Sequence, residues 1–451
     1  MARISLEQAA AWCGGRVDPK YARVTFEGAN IDSRKLEPGQ LFVALVAARD
    51  GHDFIPGALE KGAAAVLCNH ADGDYPAIVV EDTRIALGRI AAGLLKQMDA
   101  KIIGVTGSVG KSTTKEMIAA VLGTTYKVCK TPANHNNDLG LPAAVLAMDA
   151  DAEALVLEMG MSHFGEIEYL SCMAKPHIGV IINIGTMHIE NLGSQEGILR
   201  AKLEITKGMD EDGKLLLYGD DAYLWGAKDS LQQPVSYFGT SAQCAVRGED
   251  VRQTPDGIEF TVAYDRRAFP VHLPLEGMHY VSDALAAVSV GLELGVSPEN
   301  IQKGLGAFQT MQGRQEIFQH HGCTVISDCY NAGPESMAAA LHVLGNRPGR
   351  KIAVLGDMLE LGDHSQTAHT QVGQLAAQKA DILLCFGPQC AHMLQGALQS
   401  GMTHASHYTD RDALADDLLK LAQPGDVVLF KGSRGMKMEL ILEKFTAGTE
   451  K

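Results

Sequence analysis

Residues 101–122 read KIIGVTGSVGKSTTKEMIAAVL, and this segment carries the clearest structural signal in the chain. An apolar strand comes first, a glycine-rich turn follows, and a helix starts at Lys111. The apolar side of that helix carries Met117, Ile118, Val121 and Leu122. Strand, glycine turn and helix in this order are typical of a phosphate-binding loop. The sequence therefore predicts an α/β domain that binds a nucleoside triphosphate.

The residues of the loop have the chemistry that this ligand requires. Gly107 and Gly110 let the backbone approach an anion, and Lys111 adds a full positive charge beside the helix N-terminus. Ser112 is expected to ligate Mg²⁺, and the further predicted contacts are Ser108, Val109 and Thr113. Only two residues separate the glycines, so the loop is a shorter variant of the Walker pattern. The alternative is a glycine-rich turn with a surface lysine.

The same succession of strand, glycine turn and helix continues downstream of the loop. Apolar runs ending in glycine turns predict a parallel sheet covered by helices; they are VLEMG, HIGVIINIG and KLLLYGD. Between Pro234 and Pro274 the pattern alternates, with a hairpin turn expected at Asp256-Gly257. The central domain is therefore predicted to carry a β-rich appendage.

Two further domains are predicted on either side. Short strands such as LFVAL (41–45) and the helical run 85–97 indicate a small N-terminal α/β domain. After Arg314, the runs CTVISD, KIAVLGD, DILLCFG and VVLFKGS indicate a Rossmann-like, doubly wound domain. The predicted class is thus α/β with three domains, at 1–99, 100–312 and 313–451.

Composition excludes several classes of function. Among 451 residues, 54 acidic residues outnumber 39 Lys and Arg, giving a formal charge of −15, so nucleic acid is not an expected partner. No apolar segment has the length of a signal peptide or a membrane span, so we expect a cytoplasmic protein without membrane insertion. The nine cysteines form no CxxC pair. A thiolate zinc site and a disulfide framework are therefore not indicated, and each cysteine is interpreted as a small buried apolar residue.

Two candidate metal ligands follow predicted strands. Glu158 ends the run ALVLEMG, and His188 follows IINIGTM. Ligands bind at the carboxyl ends of the strands in open α/β sheets, which favours a functional role for both residues. Each also has a structural interpretation, as a helix-capping glutamate or as a hydrogen-bonded histidine.

The helix predicted around 194–207 carries an unusual lysine. Its charged face contains Glu196, Arg200, Glu204 and Lys207, while Lys202 lies on the opposite face with Ile198, Leu199 and Ile205. Burial lowers the pKa of an amine, and a neutral amine can add carbon dioxide to form an anionic carbamate that ligates metals. We therefore hypothesise that Lys202 is carbamylated. The alternative is an aliphatic stem whose ammonium group reaches water.

Together these segments resemble the Mur ligases, ATP-dependent enzymes that extend the peptidoglycan stem peptide. The resemblance covers nearly the whole chain. It rests on DSRKLEPGQLFVAL (32–45), DGHDF (50–54), TGSVGKSTTKE (106–116), TPANHNNDLGLP (131–142), LEMG (157–160), HIENLGSQEGILRAKLEI (188–205), Arg314, DCYNAGPES (328–336), VLGDMLELG (354–362) and KGSRGMKME (431–439).

The resemblance implies an activity. The last three motifs, and the absence of an Asp-Asn-Pro-Arg motif, imply the step that adds D-alanyl-D-alanine to UDP-N-acetylmuramoyl-tripeptide through an acyl phosphate. The implied cofactors are ATP and two Mg²⁺ ions, and a monomer is expected. Another amide ligase of the superfamily or a phosphate-loop switch protein are the alternatives.

The resemblance also implies site residues. Lys111 would neutralise the β and γ phosphates, Ser112 would hold one Mg²⁺, and Glu158, His188 and carbamylated Lys202 would hold the second. Asn136 and Asn137 would contact phosphates, and Arg314 and Asp328 would contact phosphate and ribose. Ser33 and Arg34 would bind the uridine nucleotide. The third domain would contribute Tyr330, Asn331 and 431–434 to the active site.

The chain departs from the family pattern at three positions. Tyr280 and Asp283 stand at the two asparagine positions of the adenine-side segment, and Gly333 stands where asparagine is usual. Tyr280 and Asp283 are interpreted either as adenine contacts, by stacking and by accepting from the exocyclic amine, or as residues of a helix start.

Overall fold

The computed structural model describes residues 1–447. The first hundred residues form β1 (Arg3–Ser5), α1 (Leu6–Cys13), β2 (Thr25–Glu27), β3 (Ala29–Asn30), β4 (Leu41–Val43), α2 (Ile55–Glu60), β5 (Ala65–Cys68), β6 (Ala77–Val79) and α3 (Thr83–Leu95). The next segment forms β7 (Lys101–Thr106), α4 (Lys111–Leu122), β8 (Val128–Lys130), α5 (Gly140–Leu146), β9 (Ala154–Glu158), α6 (Glu166–Ala174), β10 (Ile178–Ile181), α7 (Ile189–Leu192), α8 (Gln195–Leu203), β11 (Lys214–Tyr218), α9 (Ala222–Gly226) and β12 (Val235–Gly239).

The remaining elements begin with a β-rich stretch. They are β13 (Val246–Thr254), β14 (Gly257–Tyr264), β15 (Arg267–Leu273), α10 (Tyr280–Glu293), α11 (Pro298–Gly306), β16 (Glu316–His320), β17 (Cys323–Asp328), α12 (Pro334–Asn346), β18 (Lys351–Gly356), α13 (Ser365–Lys379), β19 (Ile382–Phe386), α14 (Cys390–Gln399), β20 (Ala405–Tyr408), α15 (Arg411–Leu421), β21 (Val427–Lys431) and α16 (Glu439–Ala447). Single 3₁₀ turns lie at Pro19–Tyr21, Gly51–Phe54, Glu204–Lys207, Lys228–Ser230, Gly362–His364 and Arg434–Met436.

These elements form two compact units. The first contains Met1–Ile182, Arg200–Val246 and Ala284–Leu305, and the second contains Asn183–Leu199, Arg247–Asp283 and the described residues from 306 to 447. The N-terminal part of the first unit has a parallel sheet, ordered β3-β4-β5-β6, and an antiparallel pair, β1-β2. The Asp82 side chain caps α3 by accepting from the backbone N–H groups of Arg84 and Ile85, as aspartate commonly does at this position.

The phosphate loop belongs to the larger parallel sheet of the first unit. Within this unit the strands run in the order β12-β11-β10-β7-β9-β8, and every neighbouring pair is parallel. Strands β9 and β10 are buried along their whole length, as expected for a sheet covered on both faces. The four apolar residues predicted to face inward from α4 have no exposed surface. The strand–turn–helix prediction is therefore confirmed.

The start of the β-rich appendage was predicted wrongly. Residues 235–239 were assigned to the alternating segment, but β12 pairs in parallel with β11. The first three residues of β12 are only half-buried, so their pattern resembles that of hairpin strands. The alternating part begins at Val246. The turn between β13 and β14 consists of Pro255 and Asp256, one residue before the predicted Asp256-Gly257, because Gly257 already belongs to β14.

The second unit contains the antiparallel hairpin β14–β15 and a six-stranded sheet. The order of that sheet is β16-β17-β21-β18-β19-β20, with only the pair β16–β17 antiparallel. The four strands predicted after Arg314 are all present, and β16 and β20 extend the sheet on its two sides. The α/β class with a Rossmann-like C-terminal part is confirmed.

Most cysteines are buried, as predicted. The buried thiols are those of Cys13, Cys68, Cys244, Cys323, Cys329, Cys385 and Cys390; Cys129 is half-buried and Cys172 is exposed. Among residues 1–447, no helix has the length and apolar character required to cross a membrane.

Candidate nucleotide and metal site

The phosphate loop joins β7 to α4. Gly110 precedes α4 with φ of 89°, a left-handed conformation that suits glycine. A Cβ at Gly107 would lie 3.1 Å from Cβ of Ile182, so this position has little room for a side chain. Lys111 Nζ donates to the carbonyl oxygens of Gly107 at 2.8 Å and Ser108 at 3.2 Å. The loop therefore combines a helix N-terminus with an ammonium group at its rim, the arrangement that a polyphosphate requires.

Ser112 and Glu158 meet directly behind the loop. The Ser112 hydroxyl donates to Oε2 of Glu158 at 2.6 Å, although 46 residues separate them. Both residues are 2% exposed. A hydroxyl and a carboxylate oxygen are ligands that Mg²⁺ prefers, so each residue of this pair fits the Mg²⁺ ion predicted for it.

Two asparagines flank this pair with different partners. Asn136 Nδ2 donates to Oε1 of Glu158 at 2.8 Å. A Cβ at Gly160 would lie 2.8 Å from Cγ of Asn136, so a glycine is needed for this approach. Asn137 instead accepts from the backbone N–H of Gly140 through Oδ1 at 2.7 Å, beside the first turn of α5. Asn136 is thus joined to the candidate metal ligands, and the phosphate role of Asn137 stays a prediction.

Lys202 is buried in the first unit. Its side chain is 2% exposed, and burial, together with the positive charge of Lys111, holds the pKa of its amine well below the usual range. Within residues 1–447, no carboxylate forms an ion pair with Lys202. The alternative in which its ammonium group reaches bulk water does not fit this burial. The environment suits a neutral amine, the form that carbamylation requires, and carbamylation itself stays a prediction.

Two residues of the predicted charged face contact the segment around the start of α6. The Arg200 guanidinium lies 4.9 Å from the centre of the Phe164 ring. Glu204 accepts from the backbone N–H groups of Gly165 at 2.8 Å and Glu168 at 3.3 Å. This face is therefore anchored to the start of α6.

His188 belongs to the second unit. Its backbone is left-handed, with φ of 64°, and its Nδ1 lies 2.5 Å from Oε2 of Glu360. Glu360 is also left-handed, with φ of 62°. His188 and Glu360 are thus neighbours in space, and both are non-glycine residues with left-handed backbone. This indicates local strain of the kind that functional loops retain. No local pattern indicates Glu360 as the partner of His188, because the two residues are 172 positions apart.

The DCYNAG motif begins at the last residue of β17, and its residues contact other predicted site residues. The Arg314 guanidinium lies 3.9 Å from the centre of the Tyr330 ring, a cation–π contact. Lys431, which is 2% exposed, donates to Oδ2 of Asp328 at 2.6 Å and to the Asn331 carbonyl oxygen at 3.0 Å. The predicted residues of the third domain therefore lie in one place.

Three motifs meet at the carboxyl ends of β17, β21 and β18. Ser433 donates its hydroxyl hydrogen to the Ala332 carbonyl at 3.1 Å and accepts from the Leu359 N–H at 3.0 Å. Its own N–H donates to the Asp357 carbonyl oxygen. The predicted edge of the Rossmann-like sheet is thus the place where its motif residues converge.

A buried group beside this edge has a structural role. Asp357, His369 and Cys390 have potential metal-ligating atoms within 4.8 Å of one another. However, His369 Nε2 accepts from the Met358 N–H at 3.0 Å, and Asp357 Oδ1 accepts from the Cys390 N–H at 2.8 Å. These lone pairs are used within the fold, so the group stabilises the start of α14.

The three departures from the family pattern lie in the second unit. Tyr280 and Asp283 are both 4% exposed in the first turn of α10, and the Tyr280 ring lies 4.2 Å from the ring of His279. Burial raises the pKa of Tyr280. Gly333 has an extended backbone, and a Cβ there would lie 2.8 Å from Cγ of Met187.

The predicted uridine-binding residues form an exposed turn in the first unit. The Arg34 guanidinium pairs with Asp32 at 2.8 Å and lowers the pKa of that carboxyl to about 2. Lys61 Nζ donates to the carbonyl oxygens of Ser33 and Arg34, both at 3.0 Å. The turn is therefore held by three side chains, and its binding role stays a prediction.

One functional candidate escaped the sequence prediction. Lys115 is fully buried, and its Nζ lies 3.8 Å from Oε2 of Glu158. The available signal was a lysine one turn after Lys111, on the side of α4 that faces the sheet.

Comparisons with known proteins identify the family of the chain. Three family models match the chain: "Mur ligase family, catalytic domain" at residues 25–94, "Mur ligase middle domain" at 105–291, and "Mur ligase, glutamate ligase domain" at 313–434. A relative from Bacillus subtilis, UDP-N-acetylmuramoyl-tripeptide--D-alanyl-D-alanine ligase, is 42% identical over 95% of both chains.

Solved structures give the same result. The crystal structure of MurF from Acinetobacter baumannii has a TM-score of 0.91 and 31% identity over 99% of both chains. MurF ligase from Thermotoga maritima in complex with ADP has a TM-score of 0.82 and 30% identity, over 93% of this chain and 97% of that one. With the phosphate loop, the Ser112–Glu158 pair and the convergent C-terminal motifs, these matches show that the chain belongs to the Mur ligase family.

Proposed function

We propose that this protein is an ATP-dependent ligase that joins D-alanyl-D-alanine to UDP-N-acetylmuramoyl-tripeptide. The observation that carries this proposal is the 42% identity, over 95% of both chains, with the Bacillus subtilis ligase named for this reaction. The ADP bound to the Thermotoga maritima relative supports the use of ATP. The buried Ser112–Glu158 pair behind the phosphate loop supports the phosphoryl-transfer step.

The reaction has two steps. A carboxylate oxygen of the tripeptide attacks the γ-phosphorus of ATP, which breaks the bond to the β-phosphate oxygen and releases ADP. The amine of D-alanyl-D-alanine then attacks the acyl-phosphate carbon, and the tetrahedral intermediate loses inorganic phosphate and a proton to give the amide. Such chemistry depends mainly on positioning and charge neutralisation.

Predicted residues from several motifs supply the charges for this chemistry. Lys111, at the loop rim, neutralises the β and γ phosphates, and Asn136 and Asn137 orient them. Ser112 holds one Mg²⁺, and Glu158, His188 and carbamylated Lys202 hold a second. Bound Mg²⁺ supplies positive charge to the phosphate oxygens. The contact between the Ser112 hydroxyl and the Glu158 carboxylate, which places two oxygen ligands side by side, supports this assignment.

The remaining roles are divided among the three predicted domains. Residues 1–99 bind the UDP-substrate, with Ser33 and Arg34 at the uridine nucleotide. Residues 100–312 bind ATP, and 313–451 contribute to nucleotide and dipeptide binding. Arg314 and Asp328 contact phosphate and ribose, and Tyr330, Asn331 and 431–434 complete the site. The Arg314–Tyr330 and Asp328–Lys431 contacts support a shared role for these residues.

Tyr280 and Asp283 are the proposed adenine-side residues. If they contact adenine, Tyr280→Asn and Asp283→Asn weaken ATP binding while the protein stays folded. If they only form the start of α10, the same variants lower the melting temperature and leave ATP affinity unchanged. Titration calorimetry and thermal unfolding of both variants separate the two interpretations.

The proposal also includes a cytoplasmic monomer that binds no nucleic acid and does not insert into membranes. Sedimentation equilibrium of the purified chain tests the oligomeric state. A concentration-independent mass of one chain is expected, and a dimer mass would correct this part of the proposal.

Phosphate release from ATP and Mg²⁺ tests the proposed reaction. The assay contains UDP-N-acetylmuramoyl-tripeptide, with and without D-alanyl-D-alanine, and mass spectrometry identifies the product. We expect release only with both substrates, together with formation of the pentapeptide. A Lys111→Ala variant provides the inactive control.

Two other results would overturn the assignment. Phosphate release without the dipeptide would favour a phosphate-loop switch protein. Release that requires a different amino acceptor, such as lysine or diaminopimelate, would favour another ligase of the superfamily.

A further inference from the structure

Lys115 is a buried cation with three oxygen neighbours. Its side chain has no exposed surface. Nζ donates to the Thr131 carbonyl at 2.7 Å and lies 3.3 Å from Oε1 of Glu116 and 3.8 Å from Oε2 of Glu158. Burying an ammonium group costs desolvation free energy unless the group is paired and hydrogen-bonded. The oxygen neighbours of Lys115 must therefore offset the desolvation of its Nζ.

Thr131 connects this lysine to the Glu158 backbone. The Thr131 hydroxyl accepts from the Glu158 N–H at 3.0 Å, while its carbonyl accepts from Lys115. Thr131 is fully buried and directly follows β8. Lys115 thereby joins α4 to the carboxyl ends of two neighbouring strands, β8 and β9.

The Glu158 carboxylate is held from three directions. Ser112 donates to Oε2 and Asn136 donates to Oε1, at 2.6 and 2.8 Å. Lys115 approaches Oε2 from the interior. Ser112 and Lys115 are three positions apart on α4, so they lie on the same helix face and approach the same carboxylate oxygen.

We propose that Lys115 is a positioning residue that fixes the Glu158 carboxylate beside the Ser112 hydroxyl, in the orientation used toward Mg²⁺. This inference rests on the proposed function, in which Ser112 ligates one Mg²⁺ and Glu158 ligates the second. Lys115 acts through Glu158 and Thr131 and does not itself contact the nucleotide. Partners that orient metal ligands in this way commonly affect metal affinity by one or two orders of magnitude.

The test measures how nucleotide affinity depends on Mg²⁺. ADP binding to the full chain is followed by calorimetry over a series of Mg²⁺ concentrations, with wild type, Lys115→Met and Lys130→Met. Lys130 is the matched control, because it pairs with Glu116 from a partly exposed position on β8 and has no contact with Glu158. Methionine keeps an unbranched side chain and removes the charge and the donor.

We expect Lys115→Met to raise the Mg²⁺ concentration needed for half-maximal enhancement of ADP binding by about ten- to a hundredfold. ADP affinity without Mg²⁺ is expected to stay at the wild-type value, and Lys130→Met is expected to behave as wild type. An unchanged Mg²⁺ requirement in folded Lys115→Met would overturn the proposal. A lower requirement would also overturn it, since Lys115 would then act only as a charge that competes with the metal.

A second comparison applies if Lys115→Met does not fold. Glu158→Gln and Lys115→Met/Glu158→Gln are compared, because the double variant removes both buried charges together. If Lys115 acts through Glu158, the two have the same Mg²⁺ dependence. A further loss in the double variant would contradict the proposal. If Mg²⁺ has no effect on ADP binding to wild type, the proposed metal roles of Ser112 and Glu158 fail instead.

Discussion

Thr186 donates both its backbone N–H and its hydroxyl hydrogen to one oxygen, Oε1 of Glu335, at 2.9 and 3.0 Å. The loop is closely packed there, because a Cβ at Gly185 would lie 3.0 Å from the Glu335 carboxyl carbon. Two residues after Thr186, Nδ1 of His188 lies 2.5 Å from Oε2 of Glu360. Within the second unit, the loop that carries the predicted metal ligand His188 is therefore attached to the start of α12.

Glu335→Ala is expected to weaken this attachment. Hydrogen bonds to a charged acceptor contribute about 1 kcal/mol or more, and this exposed glutamate belongs at the low end of that range. We expect kcat/KM for the proposed ligase reaction to fall about fivefold, with little change in melting temperature. Steady-state kinetics measure the effect.

Glu335→Gln is the matched control for that experiment. It keeps the accepting oxygen, so its loss of activity should be smaller than that of the alanine variant. Equal activity of Glu335→Ala and wild type would show that the loop keeps its conformation without Glu335.

Gly333→Asn introduces the residue that the family pattern has at this position. Its Cβ would approach Cγ of Met187 to 2.8 Å, so one of the two segments must shift. We expect a loss of about 1–3 kcal/mol in the free energy of unfolding, measured by urea denaturation. Because the clash involves one side chain, Met187→Ala should relieve most of this loss in the double variant. Additive losses would refute the clash as the cause.

Lys202→Ala is expected to abolish ligase activity, since it removes the proposed carbamate ligand. Short carboxylates such as acetate should restore part of the activity by occupying the vacated space. Lys207→Ala, an exposed lysine in the following turn, serves as control and should stay active. An unmodified Lys202 in the electron density of the ligand-bound enzyme, together with no rescue, would disprove carbamylation.

Acid is expected to destabilise the C-terminal part through His369. This side chain is fully buried; its Nδ1 donates to the Ser365 carbonyl, and its Nε2 accepts from Met358. Burial lowers the pKa of His369 below 6.5. The unfolded chain therefore binds more protons than the folded chain below about pH 6.5, and the free energy of unfolding falls as the pH decreases through that range.

His369→Asn should flatten this pH dependence while lowering stability at pH 7. Urea denaturation at several pH values measures both effects. The exposed neighbour His364 provides the control, and His364→Asn should keep the wild-type slope. If His369→Asn keeps that slope as well, another group causes the acid sensitivity.

Local patterns in the sequence were sufficient for the phosphate loop and for most strands. The segment 101–122 carries its own strand, turn and helix signals, and the four C-terminal strands are apolar runs that end in recognisable motifs. The two strands at the sides of the C-terminal sheet, β16 and β20, were missed because their residues are mostly half-exposed. Such strands lack the continuous apolar pattern of buried ones.

Contacts between distant segments could not be predicted in the same way. Glu158 was a candidate from its position at the end of a strand, but its contact with Lys115 depends on how α4 packs on β9. Likewise, nothing near Thr186 in the sequence indicates Glu335, 149 residues away. Side-chain pairs of this kind follow from the tertiary fold, which no local pattern encodes.

The distribution of thiols has a practical consequence for following this enzyme in solution. Of the nine cysteines, only Cys172 on α6 is exposed. A maleimide dye should therefore attach to the native protein at one place, without any cysteine replacement. Partial burial and the charge of Glu168 raise the pKa of this thiol, so labelling should proceed best at mildly alkaline pH. A single fluorophore on α6 would then report ligand binding in the unmodified wild-type chain.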